Sequence, residues 1–100
     1  MHRKYIIVGA GGLGREIASS LEILMAKEGG VLLGFVDDTP DPLKHRAGRY
    51  PPVLGRPTEF DYPTDVTLLL GVAEPIPKMR LVAEIEARGG RFGSFVHPTA

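Results

Sequence analysis

Four glycines fall within the six residues Gly9-Ala10-Gly11-Gly12-Leu13-Gly14, directly after the apolar run Tyr5-Ile6-Ile7-Val8 and directly before a helical pattern. Gly9, Gly11 and Gly14 fit the spacing G-x-G-x-x-G, and a strand before it with a helix after it is what gives that short pattern meaning. Glycine loses more backbone freedom on folding than any other residue, so a cluster at one junction needs a reason. Diphosphate binding supplies one. The first glycine allows a tight turn, the second lets the anion reach the backbone, and the third lets the helix pack close to the strand. Main-chain N–H groups at the helix start then face the anion, with the helix dipole behind them. The competing reading is close strand-to-helix packing with no ligand at all.

The other candidates are placed by this loop. Asp37 ends a second apolar run, about 20 residues further on, where dinucleotide folds put a carboxylate to accept hydrogen bonds from ribose hydroxyls. Asp38 is adjacent and equally able to serve, although aspartate is also common where strands simply turn. Gly71, Val72 and Glu74 follow a later apolar strand and complete the candidate set. Arg15, on the first helical turn, is within reach of a phosphate but reads more plainly as a solvated side chain, as do Lys44, His45, Arg46 and Arg49. His2 and His45 have no partner at metal-ligand spacing. No Ser-His-Asp set and no paired carboxylates stand out. The expectation is a nucleotide-binding site with no catalytic residue, no metal and no cofactor held by this chain.

These residues require strands and helices in alternation. Ile17, Leu21, Leu24 and Met25 recur at helical spacing and stop at Gly29-Gly30, where a left-handed cap is available. Residues 31–36 form a second strand, closed by Asp37-Asp38 and a turn-rich segment. Residues 39–52, rich in proline and basic side chains, read as a long loop. A short strand at Val53-Leu54, a turn at Gly55 and a brief helix opening at Pro57 follow, then a buried strand over 65–70. Met79, Leu81, Val82, Ala83 and Ile85 make the apolar side of a second long helix that stops at Gly89-Gly90. Residues 91–96 make a final strand, less apolar and nearer an edge. Alternation of this kind predicts an α/β fold, a Rossmann-like three-layer domain with a parallel sheet and right-handed crossovers. The expected strand order is 3-2-1-4-5, with ligand above the strand ends where the winding reverses, between the first and fourth strands.

Composition bounds the partners. One hundred residues make one small domain, and 43% hydrophobic with 24% charged residues is ordinary for a globular chain. Twelve basic and twelve acidic side chains balance, leaving no electrostatic footprint for nucleic acid or an anionic membrane. The absence of cysteine agrees with a reducing compartment, so the cytoplasm is the expected location. The opening apolar run is shorter than the roughly 7 residues of a signal-peptide core, and no stretch approaches the roughly 18 apolar residues of a membrane span. A soluble protein is expected.

Four spaced signatures carry a likeness: "IIVGAGGLGREIASSL", "VLLGFVDD", "YPPVLG" and "LLLGVAEPIPKMRLVAEIEARGGRFGSFVHPTA". Together they resemble the N-terminal domain of sugar O- and N-acyltransferases of the sialic acid O-acetyltransferase and bacillosamine-type N-acetyltransferase kind. The resemblance implies a nucleotide-sugar, typically a UDP-sugar, on this domain, with residues 9–14 facing the diphosphate, Asp37 and Asp38 near the nucleoside, and residues 71–74 near the sugar. It further implies a left-handed β-helix of hexapeptide repeats that follows the domain, binds acetyl-CoA, carries the catalytic histidine and forms a homotrimer. On this reading residues 1–96 are the nucleotide-sugar domain, His97-Pro98-Thr99-Ala100 starts the linker into the β-helix, and the chain alone is inactive. Two positions depart from the family, Leu13 where many relatives have histidine and Glu74-Pro75 where they often have Asn or Asp-Asn. The alternative is an NAD(P)-binding Rossmann domain of an oxidoreductase or redox-sensing regulator, which the length disfavours because dinucleotide folds use two mononucleotide-binding halves.

Overall fold

Parallel strands covered on both faces read as continuous apolar runs, and the centre of this molecule is built from such runs. The computed structural model describes residues 3–39, 49–72 and 75–93. In chain order they form β1 (Lys4–Val8), α1 (Gly12–Glu28), β2 (Val31–Val36), β3 (Val53–Gly55), β4 (Val66–Leu70) and α2 (Pro75–Ala87). The strands make one parallel sheet in the order β3-β2-β1-β4. The α/β class and the first four places of the expected order therefore hold, and the winding reverses between β1 and β4.

On the outer side of β4, the Leu68 N–H donates to the Arg91 carbonyl at 2.8 Å and the Leu68 carbonyl accepts from the Gly93 N–H at 2.9 Å. Both main-chain groups of one residue in a parallel ladder face the same neighbour, so the single parallel bridge from Leu68 to Phe92 occupies the fifth place. A fifth strand as such is not seen among the described residues, and residues 94–96 of the expected one lie outside them, as does the expected linker at 97–100.

Period-two alternation along β1 divides the core. Tyr5 and Ile7, with Leu69 of β4, meet Ile17, Ala18 and Leu21 of α1 on one face. Ile6 and Val8, with Leu68, meet Ile85 of α2 on the other, and Leu81 lies partly buried beside it. β2 keeps both faces apolar through one extra residue: Tyr5 pairs with Leu32 but Ile6 pairs with Gly34. That bulge at Leu33 puts Leu32 and Phe35 on the α1 face and Leu33 and Val36 on the α2 face.

Two expectations are corrected. Met79 is 74% exposed rather than part of the apolar side of α2. At 100° per residue it lies about 120° around the helix from Ile85, and Ala83, also exposed, lies about 160° from it, both off the stripe that Leu81 and Ile85 define. The brief helix at Pro57 is a single turn, in which the N–H groups of Glu59 and Phe60 both donate to the Arg56 carbonyl, at 3.1 and 3.0 Å. Pro63 biases Tyr62 towards extended backbone and leaves too few residues for a second turn. Among the described residues no helix is long and apolar enough to cross a membrane.

Candidate functional site

All four strands end on one rim, and the glycines there divide into two kinds. Gly9 extends the ladder by donating its N–H to the Val36 carbonyl at 2.8 Å, then turns the chain with φ of +103°. A Cβ on Gly9 would lie 2.9 Å from the Gly71 carbonyl oxygen, one on Gly71 would lie 2.7 Å from Gly14 Cα, and one on Gly14 would land on the Gly9 carbonyl. Gly71 is itself tied to β1, its N–H donating to the Val8 carbonyl at 2.8 Å. Gly9, Gly14 and Gly71 are thus glycine because three main chains touch at the point where the winding reverses. For these three the packing reading is correct.

Gly11 and Gly12 are different. A Cβ at either position would meet no heavy atom within 4 Å, and both residues are exposed. Gly11 is the N-cap of α1 with φ −77° and ψ −165°, extended backbone that any residue adopts. Nothing in the fold requires glycine there. The same helix start has no side-chain cap and no acidic residue in its first turn. Its first helical bond runs from the Arg15 N–H to the Gly11 carbonyl at 2.9 Å, so the N–H groups of Gly12, Leu13 and Gly14 precede the ladder. Open space and unclaimed donors coincide. Leu13 directs its side chain the other way, partly buried against the α1-face core.

The end of β2 locks the loop in place. Asp37 Oδ2 accepts the Ala10 N–H at 2.7 Å, and Oδ1 accepts the Thr39 N–H at 2.7 Å. Arg15 Nη1 donates to the Ala10 carbonyl at 3.1 Å, so this side chain folds back over the loop instead of extending into solvent as its sequence context suggested. Asp38 is exposed beside it. On the far side of the loop Val72 is half-buried next to Gly9, while Glu74 lies outside the described residues, as do Lys44, His45 and Arg46.

One feature of the rim was not legible in the sequence. A cleft of about 470 Å³ opens at the end of β3, lined by Leu54, Gly55, Arg56, Glu59, Phe60 and Asp61. It is joined to the glycine loop through Asp37, whose N–H donates to the Gly55 carbonyl at 3.0 Å. Its residues come from a strand end and a single turn, neither of which leaves a periodic signal. Below it Tyr62 is 8% exposed and donates its hydroxyl to the Pro57 carbonyl at 2.6 Å. Burial pushes the Tyr62 phenol up to about 12, with Arg88 opposing the rise and Asp38 adding to it. Among the described residues no group of three or more His, Asp or Glu side chains is placed to hold a metal.

No protein-family model and no curated protein matches the chain. Among solved structures it is similar to the acetyltransferase domain of PglB from Neisseria gonorrhoeae FA1090, with a TM-score of 0.69 at 22% identity. The match covers 97% of this chain and 45% of that one, so the chain spans a little under half the length of the structure it resembles. At that identity the likeness establishes the fold.

Proposed function

We propose that the chain is the nucleotide-sugar-binding domain of a sugar O- or N-acetyltransferase. It holds a UDP-sugar as acceptor while a C-terminal left-handed β-helix of hexapeptide repeats, in a homotrimeric parent, transfers an acetyl group from acetyl-CoA. The observation that carries the binding reading is the pair Gly11 and Gly12, glycines without steric need at an uncapped helix start on the reversal point of the sheet. The fold shared with an acetyltransferase domain and the four sequence signatures support the assignment to this chemistry.

In this reading Gly9, Ala10, Gly11, Gly12, Leu13 and Gly14 offer the diphosphate their backbone. The β2 end with Asp37 and Asp38 is the nucleoside side, and Gly71, Val72 and Glu74 are the sugar side. The acyl-transfer step belongs to the β-helix, and the isolated chain turns over no acetyl-CoA.

Thermal melting with UDP, a UDP-sugar and NAD tests the proposal. A ligand at 100 times its Kd stabilises the folded state by about 2.7 kcal/mol. For a domain this size that is a rise in Tm of about 10 °C or more. Uridine nucleotides are expected to produce such a rise and NAD a smaller one. A shift with NAD and none with uridine nucleotides overturns the reading.

A further inference from the structure

The two peptide units that flank Ala10 are each gripped by an ionisable side chain of opposite sign. On one side the Asp37 carboxylate accepts the Ala10 N–H through Oδ2 at 2.7 Å; on the other Arg15 Nη1 donates to the Ala10 carbonyl at 3.1 Å. Ala10 has no exposed surface and sits between the positive-φ Gly9 and the N-cap Gly11. A trans peptide sets the Gly11 N–H antiparallel to the Ala10 carbonyl, so the Arg15 bond also fixes the direction of the Gly11 donor, away from the guanidinium. The second Asp37 oxygen is taken by the Thr39 N–H at 2.7 Å, which ties the chain leaving β2 to the same carboxylate. Each oxygen of Asp37 thus already accepts one main-chain N–H, in charge-assisted bonds about twice as strong as neutral ones, and turning the carboxylate towards a ligand would break both.

We propose that Asp37 is a positioning residue and that, with Arg15, it clamps the Ala10 peptides so that the donors of residues 11–14 stand ready for an anion, leaving the ribose hydroxyls unread by the Asp37 carboxylate. The proposal rests on the nucleotide reading above and changes the role of one residue within it. A carboxylate this close to a bound diphosphate repels it, and Arg15 offsets that charge within the clamp. What Asp37 contributes is loop order, which a flexible glycine-rich segment does not have by itself.

Two kinds of measurement decide it. In the ligand-free protein the Ala10 amide proton is expected far downfield, with a scalar coupling across the hydrogen bond to the Asp37 carboxyl carbon. Saturating UDP should leave that coupling in place. Its disappearance on binding means that the carboxylate has swung to the ligand and overturns the proposal without recourse to any variant. Asp37→Asn keeps the side-chain shape but offers only one acceptor, so the Ala10 amide should move upfield and exchange faster.

The same variant should bind UDP and inorganic pyrophosphate about tenfold more weakly, with the ratio of Kd for UDP and 2′-deoxy-UDP unchanged. A purely electrostatic role predicts the opposite sign, tighter binding once the negative charge is gone. Unchanged or tighter binding, or a ribose preference present in the parent and lost in Asp37→Asn, overturns the clamp. If the parent binds neither UDP nor pyrophosphate, the nucleotide reading fails, and a coupling absent from the free protein refutes the clamp independently.

Discussion

At the scale of single residues, five glycines at the strand ends that look alike in the sequence do two different jobs. Gly9, Gly14 and Gly71 are held by main-chain contact, whereas Gly11 and Gly12 face open space. The consequence is a crossed pattern of substitutions. Gly14→Ala forces a methyl onto the Gly9 carbonyl, where neither partner is a side chain able to move aside, and should destabilise by about 3 kcal/mol. Gly12→Ala lies within α1 with nothing near it and should stabilise by about 0.5–1 kcal/mol. Gly11→Val should lower the melting temperature by only a few degrees, the cost of a poorer N-cap, while removing UDP binding, because its side chain occupies the approach to the donors. Melting curves and calorimetric titration of the three variants check this. If Gly11→Val binds UDP as the parent does, the loop is a packing device and the nucleotide site lies elsewhere.

At the scale of elements, both helices end on a glycine with positive φ. Gly29, with φ of +82°, donates to the Met25 carbonyl at 2.8 Å to close α1. α2 closes through paired bonds from Gly89 to Glu86 and from Gly90 to Ile85, each 3.0 Å, with Gly89 at φ of +92°. That reciprocal pair is a Schellman motif. Both stops were legible, because a glycine pair after an apolar stripe has few other uses. The uncapped start of α1 is where the element gives up stability. Gly11→Asp supplies a capping carboxylate in backbone that already suits one, and should raise stability by a few tenths of a kcal/mol. The same carboxylate takes the donors and repels an anion, so UDP affinity should fall by at least tenfold. A variant that melts higher and still binds UDP would show that the ligand does not use this helix end.

At the scale of the whole molecule, Tyr62 joins the turn after β3 to the α2-face core. Its ring meets Phe60 edge-on, with centroids 5.1 Å apart, and Arg88 reaches the Phe60 carbonyl at 3.4 Å. The phenol is raised from an unperturbed value of 10.0 to about 12, first by burial. Between those values the unfolded chain has released the proton that the folded chain keeps, so stability falls as pH rises. The contribution is complete below about pH 10 and is lost as pH passes about 12. Tyr62→Phe should flatten that alkaline slope of Tm while costing about 1 kcal/mol at neutral pH through the lost bond to Pro57. A slope that persists in Tyr62→Phe would assign it to other groups.

Local order was legible because it is written in short periods. Continuous apolar runs marked β1, β2 and β4, helical spacing marked α1, and the order 3-2-1-4 matched the doubly wound arrangement expected of a parallel sheet. The helical stripe of α2 was read too broadly, since Met79 and Ile85 share an apolar composition but not a face. What only the tertiary structure decided is where segments distant in sequence touch. The contact of Gly71 with Gly9 and Gly14, the reach of Asp37 back to Ala10, the bulge at Leu33 and the cleft beside β3 all depend on strand register and on approach distances between backbones. Spacing along the chain carries no term for either. For the same reason G-x-G-x-x-G marked the junction of β1 and α1 while leaving unresolved which of its glycines touch main chain and which face open space.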